Sequence, residues 1–284
     1  MQANSLRQQS KRIASQATTS RIMENLMRLG YAVRGLVYGA IGVLALQVAV
    51  TGGGTLTDSQ GAIVALGKTP LGGLLLYIVL VGLIGYALWG LIRALFDPLH
   101  KGSDPKGIAE RIGYLASGVS YAFLALATYR LIAGVAAAAH NGAQTAQTQQ
   151  NTAMLLSTTW GVWIVAAVAL MFLGSGLIQI VQGLGPNFER QFQPYALSST
   201  QRQWIDRIGR FGTAARGVVF AMIGAFLFLA AYRHDANEAQ GIDGVLTALL
   251  HQPYGPWLLG VVALGLIAFG VYSAMSGMWL RFKR

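Results

Sequence analysis

Six runs of apolar residues, separated by polar or basic segments, set the pattern of the chain, at about residues 30–50, 71–95, 112–136, 160–183, 212–232 and 256–280. A bilayer core about 30 Å thick needs about 20 helical residues to cross it, and each run is long enough. Backbone polar groups find no water inside lipid, so helices are the form these runs must take. The pattern predicts an all-α, polytopic membrane protein with six transmembrane helices. Between the two runs of each successive pair lies a short, weakly amphipathic segment: SQGAIVALGK, TQQNTAMLLST and IDGVLTALLH. These are expected to be short helices at the outer interface, capped near Ser59, Thr148 and Asp243.

The runs are not independent. LGYAVRGLVY at 29–38 opens the first, IGYLASGVSY at 112–121 the third and FGTAARGVVF at 211–220 the fifth. In the second helices Gly72 matches Gly161 and Gly255, and Pro70 matches Pro253. The chain therefore divides into a polar, basic tail (1–28) and three tandem two-helix repeats at 29–100, 108–187 and 206–284, the last with a short basic tail. Two spans per repeat give every copy the same topology, so the repeats are parallel ones in a pseudo-threefold arrangement about the membrane normal.

Composition agrees, with 54% hydrophobic residues, 11% charged residues and 36 glycines in 284 positions. The formal charge of +11 would suggest nucleic acid in a soluble protein, but the basic residues cluster between the runs. Eighteen of the 21 fall on one side, counting Arg93 with the loop after the second run; Lys68, Arg130 and Arg233 fall on the other. The positive-inside rule then places both termini in the cytoplasm and makes the bilayer, not nucleic acid, the partner. Trp160, Trp163, Tyr254 and Trp257 suit the outer boundary, and Trp204 and Trp279 the inner one. The end of the leading tail, RIMENLMRL, fits a short interfacial helix. No cleaved leader is expected ahead of the first span.

Helical spacing puts Tyr31, Arg34, Gly35, Tyr38 and Gly42 on one stripe. The second copy presents Tyr114, Ser117, Gly118 and Tyr121 there, and the third Thr213, Arg216, Gly217, Phe220 and Gly224. On one reading the glycines are packing contacts and the arginines snorkel to headgroups. On the other, Arg34 and Arg216 turn inward and hold an anion, such as a lipid phosphate, a carboxylated metabolite or an inorganic ion, with tyrosine hydroxyls as donors. The candidate anion or lipid-headgroup site is Arg34, Tyr31, Tyr38, Ser117, Tyr121 and Arg216. Ser117 replaces an arginine and makes any such site asymmetric. Gln179 and Gln182 suit a cavity wall or interhelical hydrogen bonds. Asp58, Asp235, Glu238 and Asp243 read as solvated loop acids.

Enzymatic chemistry has little to stand on. Ser175 in LGSGL lacks the further glycine, at Leu173, of an intramembrane serine nucleophile. His100, His140, His234 and His251 fall in loops without metal-ligand spacing, no acid lies deep in a span, and there is no P-loop. No catalytic residue, cofactor or metal is expected.

The threefold recurrence of GYxxRGxxY, written GYAVRGLVY at 30–38 and degenerating to GYLASGVSY and GTAARGVVF, resembles the bacterial family called domain of unknown function 1206. The resemblance covers residues 25 to 282. It implies a six-helix bacterial inner-membrane protein without an assigned activity, and supplies no catalytic residues. The function expected is that of a structural or accessory bundle binding anionic lipid or a membrane protein partner. The alternative is a small pore or carrier for an anion or small solute, with Arg34 and Arg216 at its cytoplasmic mouth.

Overall fold

The computed structural model describes residues 21–97, 102, 104–134, 143–185 and 199–279. Nine α-helices run through them: α1 Arg21–Thr51, α2 Ser59–Gly67, α3 Gly72–Phe96, α4 Pro105–Ile132, α5 Ala143–Leu156, α6 Gly161–Leu184, α7 Ser199–Arg233, α8 Ile242–Leu250 and α9 Gly255–Trp279. A 3-10 turn, Ala236–Glu238, precedes α8. Six of them, α1, α3, α4, α6, α7 and α9, are long and apolar enough to cross a bilayer. Among the described residues every regular element is helical. On α3, Val79, Leu83 and Tyr86 are buried while Val81, Ile84 and Leu88 on the opposite face are about half exposed. Such apolar faces, repeated on α4, α6 and α9, have lipid as their matching solvent. The protein is a multi-pass membrane protein.

The boundaries differ from the sequence pattern in instructive places. RIMENLMRL is not a separate helix: α1 begins at Arg21 and continues through it. The basic tail before it, residues 1–20, lies outside the described residues, as do Pro186 and the basic tail from 280 onward. The third span stops at Ile132, not 136, because Gly134 turns left-handed at φ +66 and the Ala133 amide closes on the Tyr129 carbonyl. A glycine in the left-handed conformation just past the last turn is a common helix stop.

By backbone proximity the chain forms two compact units. The first comprises 1–34, 71–136 and 274–284. Here α3 packs lengthwise on α4, and Gly90 lies so near Gly118 that a Cβ on Gly90 would sit 2.8 Å from the Gly118 Cα. A Cβ on Gly30 of α1 would meet that of Tyr86 at 2.8 Å. The second unit comprises 35–70 and 137–273. In it α6 packs on α7 at Gly176 and Gly217, where a Cβ on Gly217 would sit 2.8 Å from the Gly176 carbonyl oxygen. A Cβ on Gly270 of α9 would likewise sit 2.6 Å from the Gly35 carbonyl oxygen of α1. One pairing thus recurs: the motif glycine of each repeat, Gly35, Gly118 or Gly217, meets the second helix of another repeat, backbone to backbone. Small residues permit that approach, and dispersion between closely packed backbones holds membrane helices together.

In the second unit the short helices α2, α5 and α8 meet at their N-termini. The caps are not Ser59, Thr148 and Asp243. Asp58 caps α2, accepting from the Gly61 amide at 2.8 Å; α5 starts five residues before Thr148; and Gly241 precedes α8. The other carboxylate oxygen of Asp58 accepts the Gln144 amide at 2.7 Å, so one side chain serves the starts of α2 and α5. Thr145 links α5 to α8, donating its hydroxyl to Asp243 at 2.8 Å and accepting the Gly241 amide at 2.9 Å. Asp58 and Asp243 are therefore not solvated loop acids: they are 1% and 5% exposed. Three converging helix N-termini, each carrying roughly half a positive charge, make buried carboxylates tenable there. Nor do α2 and α8 simply lie on an interface, since Ile63, Val245 and Leu246 are buried in the protein.

Candidate functional site: the span arginines

In the second unit, the stripe on α7 turns Arg216 into a cluster of rings. Its Nε donates to the Tyr38 hydroxyl at 3.0 Å, and its Nη1 donates to the Gln179 side-chain oxygen. The guanidinium carbon lies 4.0 Å from the centre of the Phe220 ring, 5.1 Å from that of Phe269 and 5.4 Å from that of Tyr38. Gln179 is itself held, its amide donating to the Ser175 carbonyl and hydroxyl, each at 3.1 Å. Tyr38 packs edge-on against Phe269. The partly buried arginine is thus oriented by two hydrogen bonds and three rings, and cation–π contacts of this kind contribute about 0.5–2 kcal/mol. Gln179 acts as an interhelical hydrogen-bonding group between Ser175 of its own helix and Arg216 of α7.

In the first unit, Arg34 donates Nη1 to the Tyr86 hydroxyl at 2.7 Å. Tyr31 packs edge-on against Tyr86 with ring centres 5.4 Å apart, and Tyr121 packs on it at 4.4 Å. Arg93 joins the same cluster: its guanidinium lies 4.4 Å from the Tyr114 ring centre, 5.4 Å from Trp89 and 6.0 Å from Tyr86. Arg93 is only 8% exposed, and its buried Nε has no hydrogen-bond partner. It is not a loop residue, as its place in the basic count implied, but part of the last turn of α3. The spacing of Tyr86, Trp89 and Arg93 by three and four residues was the available signal. Their partner Tyr114 lies on another helix and gave none.

The candidate residues are therefore distributed between the two units. Arg34, Tyr31 and Tyr121 gather around Tyr86 in the first, and Tyr38 and Arg216 bond directly in the second. Ser117 is half-buried on α4 and makes no side-chain hydrogen bond among the described residues. One turn before it on α4, Tyr114 receives Arg93, so α3 provides a cation beside the helix that lacks the motif arginine. Neither Arg93 nor Arg216 has a carboxylate partner among the described residues. Outside the spans, burial pushes the Asp243 carboxyl above its ordinary range; the Thr145 hydrogen bond opposes this, and the charge of Asp58 adds to it. No group of three metal-ligating side chains occurs among the described residues.

These features define a class: a six-span helical membrane protein made of two-helix repeats, with arginines held by aromatic rings inside its spans. The model of the family described as Domain of Unknown Function (DUF1206) matches residues 29–97, 112–185 and 211–279, and the chain belongs to that family. It is 33% identical over 252 residues, 89% of each chain, to the uncharacterized protein YxxB of Bacillus subtilis (strain 168). No solved structure matches it.

Proposed function

We infer that the protein is a non-catalytic bundle of the bacterial inner membrane, with both termini cytoplasmic, that binds the phosphate of an anionic lipid through its span arginines. The observation that carries this reading is that Arg93 and Arg216 lie within spans, against aromatic rings, without a carboxylate among the described residues. Taking a guanidinium out of water costs several kcal/mol. Rings and neutral acceptors recover part of that, but they leave the net charge in place. A phosphate offers both the charge and the two acceptors that fit an arginine fork. Arg93 ends a span that leaves toward the basic loops, and Arg34 and Arg216 begin spans that enter from them. That is the leaflet where the positive-inside rule puts the cytoplasm and where anionic headgroups concentrate.

The competing reading, an anion pore gated by Arg34 and Arg216, is tested in proteoliposomes loaded with chloride or phosphate. The expected result is flux no greater than in protein-free vesicles. Anion flux that disappears in Arg216→Gln would overturn the lipid-binding reading and establish the pore.

A further inference from the structure

The second unit contains a cavity of about 200 Å³ whose lining includes none of the residues that hold Arg216, although Phe172 in its wall packs on Phe220. Its wall has two sides. A polar rim consists of Gln144, Thr148, Asn151 and Thr152 of α5 with Gln240 and Gly241 ahead of α8. The other side is apolar, with Leu155 of α5, Val165, Val168 and Phe172 of α6 and Ile223 and Leu227 of α7. Val165, Val168 and Phe172 follow one another at helical spacing along α6, and the seven steps from first to last rise about 10 Å. The apolar side is therefore a slot along the seam of α6 and α7, beside the amides and hydroxyls of the polar rim.

Two observations bear on what fits the polar rim. The side-chain oxygen of Gln144 is buried and has no hydrogen-bond partner. A buried acceptor left unmade costs about 1–3 kcal/mol, which a donor arriving with a ligand would relieve. Beside it, Asp58 accepts the Gln144 amide and Asp243 accepts the Thr145 hydroxyl, so two buried carboxylates stand immediately behind the rim. The three helix N-termini offset most of their charge, and what is left disfavours a further anion at the polar rim. The chemistry here is thus opposite to that of the arginine clusters.

We propose that this cavity binds a small amphiphile whose head donates a hydrogen bond, a hydroxyl or protonated amine, and whose apolar tail has six to eight carbons. The tail length follows from the roughly 10 Å slot and from the volume, since an apolar cavity of about 150 Å³ holds a benzene-sized molecule. The head sits beside Gln144 and Thr148, where Gln144 turns its unpartnered side-chain oxygen to accept from it, and the tail lies along the seam of α6 and α7. The site owes nothing to the lipid-phosphate reading, and either can fail without the other.

The test is photolabelling of the full-length protein in lipid nanodiscs with a diazirine-bearing octanol, its octylamine analogue and its octanoate analogue, followed by peptide mapping. The alcohol and the amine are expected to label the α6 peptide containing Val168 and Phe172 at least tenfold more than the carboxylate does. Val168→Trp, which fills the slot, should abolish that labelling and leave lipid-facing background labelling on α9 unchanged. Gln144→Leu changes only the rim and is the second variant, decisive if Val168→Trp does not fold. It should erase the preference of the site for alcohol and amine and should not lower the thermal midpoint, because it removes the unmade acceptor. Equal labelling by all three head groups, or labelling that survives both variants, would overturn the proposal.

Discussion

Arg216 shows how a charged side chain is made tolerable inside a span: two of its nitrogens have fixed acceptors and three rings line its faces. Tyr38→Phe keeps the ring and removes one acceptor. Because hydrogen bonds to charged groups contribute about 1.5–3 kcal/mol, thermal unfolding in nanodiscs should show a loss of roughly that size, and an unchanged midpoint would count against the geometry. Asp243 makes a prediction of the opposite kind. Its folded-state carboxyl titrates above the value of about 3.9 expected in the unfolded chain. Ionised at neutral pH, it therefore opposes folding, and this opposition fades as pH falls through the folded value toward the unfolded one. Asp243→Asn retains an acceptor for Thr145, so it should raise the melting temperature at pH 7 and lose that advantage near pH 4. A lower melting temperature at neutral pH would contradict the sign.

Helix pairing rests on contacts finer than a methyl group. A Cβ on Gly176 would come within 2.4 Å of the Ala221 amide nitrogen, whereas one on Gly174, two residues earlier on the same helix, meets nothing within 4 Å. Gly176→Ala should destabilise by about 1–3 kcal/mol, as overpacking does. Gly174→Ala should be neutral, or slightly stabilising through the better helix propensity of alanine. Equal effects in differential scanning calorimetry would mean that α6 and α7 do not touch at Gly176.

The six spans and the threefold motif were legible in the sequence because a span announces itself through an unbroken apolar run, and a repeat through self-similarity. The ends and caps were not. Asp58 takes its second amide from Gln144, 86 residues away, and no local rule anticipates a carboxylate shared by two helix starts. Arg93 was hidden for a related reason: the apolar run 71–95 contains it, but beside a basic loop it was counted with the loop cations, and only the rings around it show that its guanidinium is held in the protein.

At the scale of the whole molecule, orientation and lipid recognition are the claims to test. The chain has no cysteine, so single cysteines report topology without background. Thr69→Cys, between α2 and α3, should react with a membrane-impermeant maleimide added to spheroplasts, and Gly102→Cys, between α3 and α4, only after lysis. The reverse pattern would invert the topology and move the arginine level to the other leaflet.

The most direct test of the central claim is native mass spectrometry of the protein released from nanodiscs containing equal amounts of phosphatidylglycerol and phosphatidylcholine. The account predicts that phosphatidylglycerol is retained preferentially and that Arg93→Gln with Arg216→Gln reduces this retention at least tenfold, measured below the lowered melting temperature of the variant. Retention of both lipids alike, or a preference unaffected by the two substitutions, would contradict it.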